Sequence, residues 1–198
     1  MSDGFVYRYV DVWSARMAAQ LLTDLESGGF HIGNPATGAF TELSAEREMM
    51  GQQILVSRSG LASDISLQSR NELTYQLWLD DRTDVVARVR RIENGPVVQE
   101  FGLDALTSDQ KSVAVQGLVD AILHPDTNLL AAIVDSAGVT EELDWDSIVL
   151  SGRSHISPVP DLVALPRAVD ILHGELSSVP ALTVHDLVIR SVIWVHIK

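Results

Sequence analysis

The chain has 198 residues, 46% of them hydrophobic, which is enough for a packed core and too many for wholesale disorder. Twenty-seven acidic against 14 basic residues leave a formal net charge of −13, which repels nucleic-acid phosphate and anionic lipid and attracts basic partners. The absence of cysteine excludes disulfides, thiolate metal sites and cysteine nucleophiles, and is expected of a cytoplasmic protein.

No apolar run has the length of a membrane span, and Asp3, Asp11 and the early arginines interrupt any signal-peptide core in residues 1–20. Twelve of the 14 bases are arginine, a bias that points to a GC-rich coding sequence and a bacterial source.

Phe5, Tyr7 and Tyr9 alternate with Val6, Arg8 and Val10, so a strand is expected over 5–12. Ser14 or Asp11 caps the helix that follows, whose stripe is Ala15, Ala18, Ala19, Leu22 and Leu25, with Gly28 just past its end. The loop 28–41 holds four glycines but no lysine, so it lacks the GxxxxGK[ST] of a phosphate loop and reads as surface. A helix is expected from Ser44 to about Val56, with Met49, Met50, Ile54 and Leu55 apolar. Residues 57–70 are weakly patterned, with a short strand expected at 65–67.

Residues 73–101 read as an antiparallel meander. Leu73, Tyr75, Leu77 and Leu79 alternate with polar residues, and Val85, Ala87 and Val89 share a face of the second strand. Asn94-Gly95 supplies a tight hairpin turn, and Pro96 opens the third strand. Thr107 and Gln110 have the spacing of a capping box, and Val115, Leu118, Val119 and Ile122 make the helical stripe behind it. That helix must stop before Pro125. Asp126 is expected to cap a second helix through Leu129, Leu130, Ile133 and Val134, closed by Gly138, which would make an αα unit.

Glu141–Asp146 reads as an acidic connector that contains Trp145, and 151–160 as a Ser/Pro loop. Pro166 starts a short helix that Gly174 ends. The last strand, 187–197, is expected to pair with the first at the centre of the sheet. The whole is then a single α+β domain, 1–198: a mostly antiparallel sheet of about five strands with helices packed against it.

Catalytic patterns are missing. None of the six histidines forms HExxH. His173-Gly174-Glu175 matches a zinc-deaminase fragment whose cysteine ligands this chain cannot supply. Ser151, Ser154 and His155 share a loop without a G-x-S-x-G elbow. Asp144/Asp146 and Asp80/Asp84 are paired carboxylates outside any EF-hand pattern. No catalytic residue, metal ligand or cofactor is assigned.

Charge is the remaining signal. Between Asp104 and Asp146 lie nine acids and one base, Lys111. The reading this supports is a non-enzymatic acidic interaction protein, such as an immunity-type inhibitor masking a basic toxin or nuclease. Its contact residues would be Asp104, Asp109, Glu141, Glu142, Asp144, Trp145 and Asp146. The alternative is a small-molecule-binding domain or enzyme, with an anion held by Arg88 and Arg90 and a histidine, His31 or His155, in acid–base work.

Overall fold

A computed structural model describes residues 4–45, 51–93, 95–123 and 128–192. Among the described residues, ten strands form one antiparallel sheet in the order β3-β2-β4-β5-β6-β1-β7-β8-β10-β9. The α+β class holds, but the expectation of about five strands is corrected to ten. In chain order the strands are β1 (Phe5–Val10), β2 (Phe40–Leu43), β3 (Gln53–Val56), β4 (Glu72–Trp78), β5 (Asp84–Arg91), β6 (Val97–Gly102), β7 (Leu129–Asp135), β8 (Leu162–Pro166), β9 (Ala181–Val184) and β10 (Leu187–Ser191). The helices are α1 (Ala15–Ser27), α2 (Arg58–Ile65), α3 (Ser108–Ile122), α4 (Trp145–Ser151) and α5 (Arg167–Asp170), with a 3₁₀ turn at Gly174–Ser178.

β1 lies inside the sheet, between β6 and β7, and is buried on both faces. Val6 and Val10 face α1, α2 and α3, where Leu21, Leu25, Leu61, Ala114 and Leu118 complete the larger core. Phe5 and Tyr9 face α4, where Trp145, Ile148 and Val149 build a second core with Ile133 and Val163. Alternation along one strand thus supplies both layers.

The local signals explain most helix ends. Ser14 caps α1 through its side chain, which accepts from the Met17 amide. The Thr107–Gln110 capping box is present in both directions. Helices α1 and α3 meet at glycines: a Cβ added at Gly117 would lie 2.2 Å from the Gly28 carbonyl oxygen. Only a hydrogen side chain allows that approach.

Four expectations are corrected. The segment after Asp126 is strand β7, not a helix, so no αα unit forms; His124, Pro125 and Asp126 themselves lie outside the described residues. Its run Leu129–Val134 is continuously apolar because an inner strand is covered on both faces, and such a run does not separate helix from strand by period. The helix expected over 44–56 is instead the hairpin β2–β3, with Met49 and Met50 outside the described residues. Residues 58–65 form α2 rather than a loop with a strand at 65–67, and Ser57 caps it by accepting from Gly60. The terminal strand β10 pairs with β8 and β9, not with β1, and residues 193–198 lie outside the description.

The meander holds, with one change of register. Arg91 pairs with Val97 and the Ile92 amide donates to the Pro96 carbonyl at 3.0 Å, so residues 93–95 connect the strands rather than Asn94-Gly95 alone. Asn94 lies outside the described residues. Pro166 precedes α5 as expected, but Gly174 begins the 3₁₀ turn rather than ending a helix.

Candidate partner-binding surface

Strand register decides which acids are neighbours. Phe5 pairs with Gly102 on one side and with Asp135 on the other. The ends of β6 and β7 therefore flank the start of β1, about 10 Å apart across two strand spacings. Segments 103–107 and 136–144 leave the sheet at the same end. Leu103 donates to the Gly4 carbonyl at 2.8 Å, and Lys111 Nζ donates to the Ser136 carbonyl at 3.3 Å, which ties the two segments together. The β4–β5 turn joins them, because Trp78 pairs with Asp84 and Ala87 with Phe101.

That end and its margin carry Asp80, Asp81, Asp104, Asp109, Glu141, Glu142 and Asp144, all exposed. Arg82 in the β4–β5 turn and Lys111 on α3 are the bases beside them. A cavity of about 360 Å³ opens beside them, lined by Thr83, Asp84, Val86, Asp104, Leu106 and Gln110 among others. The Gln110 amide bridges its wall to Thr83 Oγ1 at 3.1 Å. The sequence grouping 104–146 missed Asp80, Asp81 and Asp84, since only the sheet register brings them alongside.

Three of the expected contact residues have internal roles. Trp145 is 3% exposed and belongs to the core beneath α4, so it is not a surface residue. Asp144 caps α4, accepting from the Ser147 amide at 3.1 Å and hydroxyl at 2.6 Å. Those two bonds hold its carboxyl below the usual range. Asp146 accepts from Arg90 Nη1 at 2.7 Å and Nη2 at 2.9 Å, and from the Tyr9 hydroxyl at 2.8 Å.

Arg88 and Arg90 do share a face, as their spacing requires, but carboxylates of the same chain engage both. Arg88 pairs with Glu72 and Glu100; Arg90 pairs with Glu100 and Asp146. The result is a chain of charges across β4, β5 and β6 that clips α4 to the sheet. Within it, burial first and then the nearby Glu100 push the Tyr7 phenol up to about 12. Burial, together with Asp146, pushes Tyr9 up as well.

His31 stands away from these arginines. His31 exchanges backbone hydrogen bonds with Trp78 at 2.8 and 2.9 Å. Thr74 and Glu72, opposite Arg88 and Arg90, lie four and six residues further along β4, roughly 13–20 Å away. His155 and His173 both approach Glu175 Oε1 through Nδ1, at 3.2 and 3.1 Å, and the Ile156 amide donates to the same oxygen. The HxE fragment thus serves as a loop anchor. Among the described residues no group of three or more His, Asp or Glu is placed to hold a metal ion, and no helix is long and apolar enough to cross a membrane.

No known protein family matches the chain, and no curated protein matches it. Two solved structures share part of its shape. One is the Pseudomonas aeruginosa T6SS protein PA0821, 11% identical, with 95% of this chain and 68% of that chain covered and a TM-score of 0.47. The other is a chain from the complex of the toxic C-terminal tip of CdiA from Pseudomonas aeruginosa with its immune protein. It is 16% identical, with 70% of this chain and 91% of that chain covered and a TM-score of 0.36. Neither likeness bears on what this chain does.

Proposed function

We propose that this chain is a non-enzymatic interaction protein, of the immunity-inhibitor kind, that binds a basic protein partner through the carboxylate-rich end of its sheet. The observation that carries the reading is the convergence of three acidic segments, 80–84, 104–109 and 141–144, which the register of β4 to β7 brings to one end and its margin. A predominantly acidic surface raises the rate at which a basic partner arrives and rejects anionic competitors such as nucleic acid. A basic toxin or nuclease has the complementary charge.

The small-molecule reading has less support, because the guanidinium groups of Arg88 and Arg90 are engaged internally and His31 lies strands' lengths from them. The test is capture from source cells on immobilised full-length protein, at low and high salt. The expected result is a basic protein retained at low salt and released at high salt. The same protein should be lost from a variant carrying Asp80→Lys, Asp109→Lys and Glu142→Lys. Retention that ignores both salt and charge reversal overturns the reading.

A further inference from the structure

The cavity at the acidic end has a floor built by strand register. Val85 and Ala87 of β5 are buried in the larger core, so Asp84 and Val86 point to the opposite face. Ala87 pairs with Phe101, which sets Gly102 beside Val86 on that face. Val86 is 43% exposed there and lies outside the core under α4. Gly102 leaves the floor open. A Cβ added to it would lie 3.7 Å from the Val86 carbonyl oxygen and 3.9 Å from Asp104 Oδ2, both ordinary contact distances.

Two carboxylates line the cavity over that floor, Asp84 from β5 and Asp104 from the segment after β6. Asp84 is held from behind. Gln76, 7% exposed, donates Nε2 to Asp84 Oδ2 at 2.7 Å, and its own Oε1 accepts from Thr41 at 2.9 Å and Gln53 at 2.8 Å. A buried amide anchored at both ends fixes where the carboxylate points. Val86 and Leu106 supply apolar wall. Arg82 also lines the cavity, but its side chain is 89% exposed with Nε 3.9 Å from Asp81 Oδ2, so it stands at the mouth.

Volume and sign restrict the occupant. The cavity, about 360 Å³, is near the small end of ligand pockets, which run from roughly 300 to 1,000 Å³, and it holds one long side chain rather than a helix or strand. Two carboxylates against one guanidinium at the mouth disfavour an anion. A cation with an apolar stem suits these walls. A planar guanidinium can donate to two carboxylates at once, where an ammonium is a point charge. We infer that this cavity is the receptor for one arginine side chain, which the basic partner inserts with its stem over Val86 and Leu106 and its guanidinium between Asp84 and Asp104. The source of the arginine rests on the proposed function; the preference of the cavity does not.

NMR titration of the isotope-labelled full chain with N-acetyl-arginine amide reads that preference without a partner. The expected shifts centre on the amides of Val86, Gly102 and Ala105 and saturate. N-acetyl-citrulline amide, uncharged and of similar shape, should leave them in place, and N-acetyl-lysine amide should need a roughly tenfold higher concentration. Asp84→Asn should weaken the arginine probe roughly tenfold, the loss of one charged hydrogen bond. Gly102→Leu fills the floor while leaving every charge in place, and should abolish the shifts with unchanged circular dichroism. The Asp80→Lys, Asp109→Lys, Glu142→Lys variant, altered outside the cavity, should shift at the same residues. No shifts, shifts centred elsewhere, an equal response to citrulline or lysine, or binding that survives Gly102→Leu each overturn the inference. Failed capture from source cells beside intact arginine binding overturns the proposed function alone.

Discussion

Arg90 and Asp146 meet side by side, Nη1 to Oδ2 at 2.7 Å and Nη2 to Oδ1 at 2.9 Å, across 56 residues of sequence. The pair joins β5 to the first turn of α4, and Tyr9 from β1 completes it. Both side chains are more than two-thirds buried, at 22% and 31% exposure. Asp146→Ala removes three donors' acceptor at once and leaves Arg90 with Glu100. Its expected cost is about 2–3 kcal/mol. Glu72→Gln, on the outer and more exposed end of the same network, is expected to cost less than about 1 kcal/mol. Urea unfolding of the two variants checks the contrast.

Asp144→Ala removes the cap of α4 and is expected to cost about 1 kcal/mol. Because the folded state holds this carboxyl below its ordinary value of 3.8, the stabilisation is complete above that value and is lost as the pH falls through the folded one. The gap between wild type and variant therefore closes below about pH 4. Glu42 behaves in the opposite sense. Burial first, and then the neighbouring Asp64, raise its carboxyl. Its contribution is full at acid pH and fades as the pH rises through the folded value. Wild type should gain on Glu42→Gln on acidification, read from urea midpoints across pH.

Gly117→Ala tests the crossing of α1 and α3 by its sign. In an open helix this change stabilises by up to about 1 kcal/mol. Here the new Cβ would sit 2.2 Å from the Gly28 carbonyl oxygen and 3.1 Å from the Phe30 ring, so the helices must separate. A loss of about 3 kcal/mol is expected. Gly174→Ala, with open space around it, should be neutral within about 0.5 kcal/mol. Thermal melts separate the two outcomes.

Arg8 sits in the larger core at 3% exposure, where its Nη1 donates to Gln99 Oε1 at 3.0 Å. Among the described residues Arg8 Nε and Gln99 Nε2 are buried without partners, and burial lowers the guanidinium to about 10. Replacing both polar groups together, as Arg8→Met with Gln99→Leu, removes a desolvated charge and its neighbour. The expected gain is about 1–3 kcal/mol. Gln99→Leu alone strands the buried charge and should destabilise. The urea midpoints of the single and double variants give the answer.

The meander, the first strand and the capping box were legible because each rests on local spacing: alternation within one strand, a turn between neighbours, or a cap three residues from its partner. β7 was not, since its uninterrupted Leu129–Val134 carries no period once both faces are covered. The ion network was hidden by one step of register. A two-residue turn at Asn94-Gly95 would set Arg88 opposite Phe101, whereas the observed connection sets it opposite Glu100. A single-residue slip exchanges the faces of a strand. The acids themselves were plain, but their sorting was not. Trp145 and Asp146 look like part of an exposed acidic run until α4 turns one into the core and the other towards Arg90. Asp80 and Asp81 join the surface only through pairings of β4 to β6.

The central claim is that the acidic end of the sheet recruits a basic protein. The most direct measurement is capture from source cells by immobilised wild-type chain and by the Asp80→Lys, Asp109→Lys, Glu142→Lys variant, at low and high salt. The account predicts one basic protein, held by wild type at low salt, released at high salt and absent from the variant. A partner held equally by both proteins at both salts, or none held by either, contradicts it.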